Sequence, residues 1–225
     1  MIARFESHFS ILPTAQKHLW QMLKPTSNLN FVLYNNSTIT RRLNHRQSVD
    51  FDFFTDKPLD KKALAAAISF IGRSQLLQNQ PETLTVNVPD NELNQYVKIS
   101  FFGAIDFGRY AAPEITSDGV LQVAALEDLL ATKTKVLLQR VESKDYQDVA
   151  AILKAGVPLE RCLGIAQCMY GNNFQPSESL KAMTYFKGGD LEVLTADEKE
   201  ILVRAASAVR RIPVVRRTAD ALSAL

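Results

Sequence analysis

Every stretch with strand-like alternation in this 225-residue chain lies before residue 125, and from Leu126 onward the apolar spacing is helical throughout. Strands are expected at 29–34, 48–54, 83–89, 95–103 and, as a short extended piece, 119–125. Helices are expected at 13–24, stopped by Pro25, at 37–45, and from Pro58 to about Leu77. The second part reads as helices at 126–140, 143–154, 158–170, 176–186 and 195–210. The expected fold class is therefore α/β (α+β): a small mixed β-sheet with flanking helices over 1–125, followed by a helical domain over 126–225. No Gly/Ser/Pro-rich linker divides the parts, so they are expected to pack closely, with a site in the cleft between them.

Composition narrows the function classes. Apolar residues make up 46% and charged residues 22%, the balance of a globular chain with a real core. A net charge of +2 gives no bulk basicity that would favour nucleic acid as a general partner. The apolar runs are too short for a membrane span, and "MIARFESHF" has charges where a signal peptide needs an apolar centre. Cys162 and Cys168 stand six apart in an expected helix, on different faces, so a reduced cytoplasmic protein without a disulfide is expected. The three histidines are scattered and form no zinc-type spacing.

The stretch "YNNSTITRRLNHRQSVDFDFF", 34–54, holds the candidate chemistry. Residues i and i+2 of a strand share a face, so Asp50 and Asp52 stand side by side while Val49, Phe51 and Phe53 pack on the other side. Two carboxylates so placed repel unless a positive charge lies between them. A hard divalent cation, Mg²⁺ or Mn²⁺, takes such oxygen ligands together with a substrate phosphate. The plain alternative is a solvated edge strand carrying two acids. Upstream, Asn35-Asn36-Ser37 forms a polar turn leading into a short helix that Ser37 is placed to cap. A helix N-terminus of that kind presents N–H groups to phosphates, and Arg46 is placed to add a further phosphate contact.

These residues resemble the signature block of the AbiEii/AbiGii-type nucleotidyltransferases, within the DNA polymerase β-like superfamily. That block reads Gly-Gly-Ser/Thr, a short helix, then Arg-x-Ser/Thr-x-Asp-Phe-Asp. The resemblance continues in "LEDLLATKTKVLLQRVESKDYQDVAAIL", 126–153, with Lys133, Arg140 and the Lys144-Asp145-x-x-Asp148 block, and in "LKAMTYF". It covers most of the chain and implies a nucleotidyltransferase-like core. It makes Asp50 and Asp52 metal ligands, puts Asn36 and Ser37 in the phosphate turn, sets Lys133 on a nucleotide phosphate, and gives Asp145 as the position of a catalytic acid or base. The implied function is transfer of an NMP from an NTP to an RNA (tRNA) or protein hydroxyl, by a toxin of a toxin–antitoxin or phage-defence pair with a cognate antitoxin. By spacing alone, Lys133 and Arg140 share a helix face as a basic stripe, and Asp145 and Asp148 share another.

The chain departs from the pattern in two places. Asn35-Asn36 stands where the family has Gly-Gly, whose freedom at positive φ lets backbone approach phosphate. Many polymerase β-like enzymes place a third acid on a neighbouring strand; the equivalent here is Ser100, which is neither a base nor a strong metal ligand, and Asp106 lies beyond Gly103. The alternative reading is a degenerate, non-catalytic relative acting as a nucleotide- or protein-binding module. The four arginines of "RRIPVVRR", 210–217, suit either an RNA backbone or a solvated helix end followed by a mobile tail, and the second is the expectation.

Overall fold

The computed structural model describes residues 3–5, 12–34, 36–43, 45–46 and 50–225; for Asn36, Ser37, Thr38 and Arg41 it describes the backbone alone. The chain separates into two compact units, one of residues 1–125 with 219–225 and one of residues 126–218.

Among the described residues, the first unit is built on a mixed eight-stranded sheet. Its strands are β1 (Arg4–Phe5), β2 (Val32–Leu33), β3 (Phe51–Phe54), β4 (Gln75–Gln80), β5 (Thr83–Asp90), β6 (Gln95–Phe102), β7 (Glu114–Thr116) and β8 (Gln122–Val123), in spatial order β1-β7-β8-β2-β3-β6-β5-β4. β3 runs parallel to β6 and antiparallel to β2, and so occupies the middle of the sheet rather than an edge. Alternation decides its faces: Phe51 and Phe53 are fully buried, and Asp52 and Phe54 half-buried on the other side. The buried face joins Ile99, Phe101, Leu84, Val86 and Val88 in one core with Trp20, Leu23, Leu64 and Phe70. The helices of this unit are α1 (Thr14–Leu19), α2 (Pro25–Asn28), α3 (Asn36–Leu43) and α4 (Lys61–Ala67).

The expected antiparallel neighbours at 83–89 and 95–103 are β5 and β6, paired over Thr83–Asp90 and Gln95–Phe102. The expected long helix from Pro58 to Leu77 is not formed. α4 is capped by Asp60, which accepts from the Ala63 N–H at 2.9 Å, and stops at Ala67 because Ile68 turns extended. Residues 75–80 are instead the edge strand β4, hydrogen-bonded to β5. β1 and β7, two and three residues long, fall outside the sequence reading because so short a strand shows no period.

The second unit is helical: α5 (Leu126–Val136), α6 (Ser143–Lys154), α7 (Leu159–Tyr170), α8 (Pro176–Thr184) and α9 (Ala196–Ala208). Thr195 and Glu198 form a reciprocal capping box at the start of α9. Cys162 is buried and Cys168 exposed, both as free thiols. After Ala208 the backbone turns extended at Val209, and residues 210–217 form neither helix nor strand. The expected mobile tail is corrected here, since residues 219–225 belong to the first unit and are held there. Arg109 and Ala219 form a bridge, the Leu222 N–H donates to Asp56 at 3.2 Å, and the Leu222 side chain is 1% exposed. Among the described residues no helix is long and apolar enough to cross a membrane.

Candidate active site

The first cluster lies on the half-open face of β3. Asp50, just before the strand, and Asp52 within it are both half-buried. Asp52 lies on the face of β3 opposite the buried Phe51 and Phe53, and Asp50 directly precedes the strand. The strand is fixed from both sides: the Tyr34 N–H donates to the Asp52 carbonyl at 3.0 Å, and Asp52 stands in register with Ser100 of β6. One strand further, Thr85 is in register with Ser100, and its hydroxyl lies 3.3 Å from the Ser100 hydroxyl. The row across the sheet at this level is thus carboxylate, hydroxyl, hydroxyl. Ser100 occupies the position anticipated for it, and it is buried. Phe54, on the same face, stacks on Tyr34 at 5.3 Å between ring centroids.

α3 lies between β2 and β3 in the chain. It begins at Asn36, so Ser37 stands in its first turn rather than before it, and Asn35 lies outside the described residues. Further along, Arg42 pairs with Glu114 of β7 at 3.1 Å. Burial lowers the Arg42 pKa from its ordinary value and Glu114 opposes that shift, so the pair pins the helix to the sheet. Arg46, beyond the helix end, is half-buried. Among the described residues, no three His, Cys, Asp or Glu side chains gather as a metal set. Asp50 and Asp52 are half-buried carboxylates, the ligand type that a hard cation takes.

The second cluster belongs to the helical unit. The Lys133 ammonium on α5 sits 2.7 Å from Asp145 Oδ1 and 2.9 Å from Asp148 Oδ2 of α6. Both acids are fully buried and Lys133 nearly so. Arg140 Nε reaches the other oxygen of Asp145 at 2.7 Å, and its terminal nitrogen lies 3.2 Å from Oδ1. Burial pushes the Asp145 carboxyl up, but the hydrogen bonds and charges of Arg140 and Lys133 outweigh it and hold the group below the ordinary carboxylate range. The basic stripe expected of Lys133 and Arg140 is corrected. The helix tightens after Val136, where the Leu138 and Gln139 N–H groups donate to Lys135 and Val136 carbonyls three residues back. Arg140 thereby leaves the helix face and meets Lys133 through their shared partner, Asp145. A buried cation between two carboxylates was legible only as separate spacings, because the i, i+3 rule says nothing of which helix faces α6.

A mixed sheet in a chain that continues as a helical unit matches a nucleotidyltransferase-type fold. The solved structure of MenT4, a nucleotidyltransferase toxin from Mycobacterium tuberculosis H37Rv, superposes with a TM-score of 0.58 over 87% of this chain and 82% of that one, at 15% identity. An uncharacterised protein of Aquifex aeolicus, aq_aa25, is 28% identical over 166 residues, 72% of this chain and 77% of its own. The family described as "Nucleotidyl transferase AbiEii toxin, Type IV TA system" matches residues 38–189. The chain belongs to the AbiEii nucleotidyltransferase toxin family. The matched span holds Asp50, Asp52, Lys133, Asp145 and Asp148, and starts just after Asn35-Asn36-Ser37.

Proposed function

We propose that this chain transfers a nucleoside monophosphate from an NTP to a hydroxyl of an RNA or protein acceptor, with pyrophosphate leaving, as the toxin half of a pair with a cognate antitoxin. The observation that carries the reading is the Asp50–Asp52 pair, both half-buried, with Asp52 on a central strand of the sheet and Asp50 directly before it. These two carboxylates would hold Mg²⁺ or Mn²⁺, which when bound neutralises the triphosphate and steadies the attacking and leaving oxygens. The first turn of α3, with Asn36 and Ser37, offers backbone N–H groups to phosphate, and Arg46 adds a guanidinium. Lys133, a phosphate contact by the family resemblance, lies nearly buried between Asp145 and Asp148, which supports a role in holding α5 to α6. Both oxygens of Asp145 are engaged and its carboxyl is held ionised, which supports a positioning role over proton transfer at neutral pH.

A second reading, a non-catalytic nucleotide- or protein-binding relative, is favoured by Ser100. Its register with Asp52 puts a hydroxyl where a third carboxylate would deprotonate the acceptor. The experiment is incorporation of labelled NTP into total tRNA and protein, with calorimetry of each NTP plus Mg²⁺ or Mn²⁺. It compares the wild type, Asp52→Ala, and the double variant Asn35→Gly with Asn36→Gly. Labelling abolished by Asp52→Ala supports transfer. NTP binding without labelling in any variant selects the second reading.

A further inference from the structure

The segment 209–218 contributes to neither cluster. It leaves α9 extended, without helical or strand hydrogen bonding of its own, yet it is seated. Gly164, buried in α7, lies directly beneath it: a Cβ there would collide with the Pro213 carbonyl oxygen and come within 2.9 Å of Val215 Cγ2. The absent side chain is what admits the strap to the helix surface. Ile212 and Val215 are half-buried, while Arg210, Arg211, Arg216 and Arg217 are turned outward to differing degrees and Val214 is 97% exposed. The apolar residues thus anchor the strap and the arginines lie along its outer side. No acid stands among residues 209–218, and setting the four arginines aside leaves 22 basic against 24 acidic residues in the whole chain. The net positive charge is concentrated in this strap.

We infer that the strap docks the phosphate backbone of an RNA strand, the acceptor of the transfer proposed above; the inference rests on that reading and names the surface that holds the acceptor. Arg211 and Arg216 are five residues apart, roughly 16 Å in extended chain. The phosphates of a single nucleotide lie too close together to engage both pairs, whereas successive phosphates of a polymer reach each. Arginine's planar fork matches phosphate bidentately, and an exposed valine between the pairs gives a base a surface to lie on. Backbone docking of this kind carries no sequence preference and depends on salt.

The test measures binding of fluorescein-labelled total tRNA by anisotropy at several KCl concentrations, for the wild-type full chain, for Arg211→Gln with Arg216→Gln, and for the variant with all four arginines changed to Gln. Affinity is expected to fall stepwise, by about tenfold or more in the fourfold variant at low salt, with the log–log salt slope shallower by ~0.7 for each phosphate that is no longer neutralised. Calorimetric affinity for NTP with Mg²⁺ should be unchanged, since the strap holds none of the nucleotide residues. If the fourfold variant does not fold, the double variant carries the same comparison. An unchanged affinity and slope overturns the inference. So does a wild-type chain that binds phosphatidylserine vesicles or poly-glutamate as tightly as tRNA, or that does not bind tRNA. Strap-dependent tRNA binding without NTP binding would sustain the strap and sink the transfer reaction, so the two failures are distinguishable.

Discussion

Asp52 and Asp145 are both carboxylates within the family-matched span, yet they lie in opposite surroundings. Asp52 is half-open on β3, so Asp52→Asn changes little packing. Stability is expected to move by about 0.5 kcal/mol or less, while labelled-NTP incorporation falls by at least about a hundredfold, since loss of residues that merely orient metal ligands already costs 10–100-fold. Equal losses of both would show that Asp52 is structural. Asp145 is sealed against Lys133 and Arg140. Asp145→Asn leaves the buried Lys133 one charged partner short, and breaking a buried pair costs about 3–5 kcal/mol. Because the carboxyl is held below its ordinary value, its contribution is present above the unfolded pKa, about 3.9, and is lost as pH falls through the folded value. Urea titrations should therefore show the full difference between wild type and Asp145→Asn at neutral pH, shrinking only below about pH 4. A difference that instead shrinks between pH 6 and 8 would contradict the assignment.

Among the elements, the strap and α7 offer a direct test. Helix propensity alone favours Ala over Gly at position 164 by about 1 kcal/mol. The added Cβ would meet strap backbone, which cannot swing aside as a side-chain tip does. Gly164→Ala is expected to destabilise the protein by about 1–3 kcal/mol in denaturant unfolding, and a stabilised variant would mean that the strap is not seated on α7. Element type was legible wherever period and length agreed. β3, β5 and β6 alternate, and α6 and α7 repeat every three to four residues, so their residues specify them. β4 was not legible. Its sequence, QLLQNQ, has no β-branched residue and adjacent leucines, and all six residues are exposed. It is a strand because β5 offers a ladder, with a register shift at Leu76/Gln78 absorbing the mismatch. The same limit applied to the site. Asp50 and Asp52 could be read from spacing within one strand, and the Ser100 level from two aligned strands. The Lys133–Asp145–Arg140 arrangement depends on how α5 ends and which way α6 faces, which spacing within a helix does not encode.

At the scale of the molecule the chain passes between its two units twice, at 125/126 and again at 218/219. The returning segment is part of the first unit's packing. Leu222 is buried, and the Ser223 hydroxyl and Ala224 N–H engage Gln122, itself buried on β8. Arg109 adds bonds to the carbonyls of Leu222 and Ser223. The sheet unit is completed by residues nearly a hundred positions beyond its last strand, so its final contacts wait on closure of that span. Leu222→Ala should then cost about 2–5 kcal/mol, as other buried leucine truncations do, and the loss should fall on the first unit. Scanning calorimetry is expected to show the first unit's transition moved down by about 5–15 °C, at a few degrees per kcal/mol for a domain of this size. The helical unit's transition should stay in place, splitting the endotherm. Near-ultraviolet circular dichroism supplies an independent readout, since Trp20, the single tryptophan, lies in the core of the first unit. A single endotherm shifted as a whole would show that the two units unfold as one cooperative body. An unshifted one would show that the returning segment contributes nothing to the sheet unit.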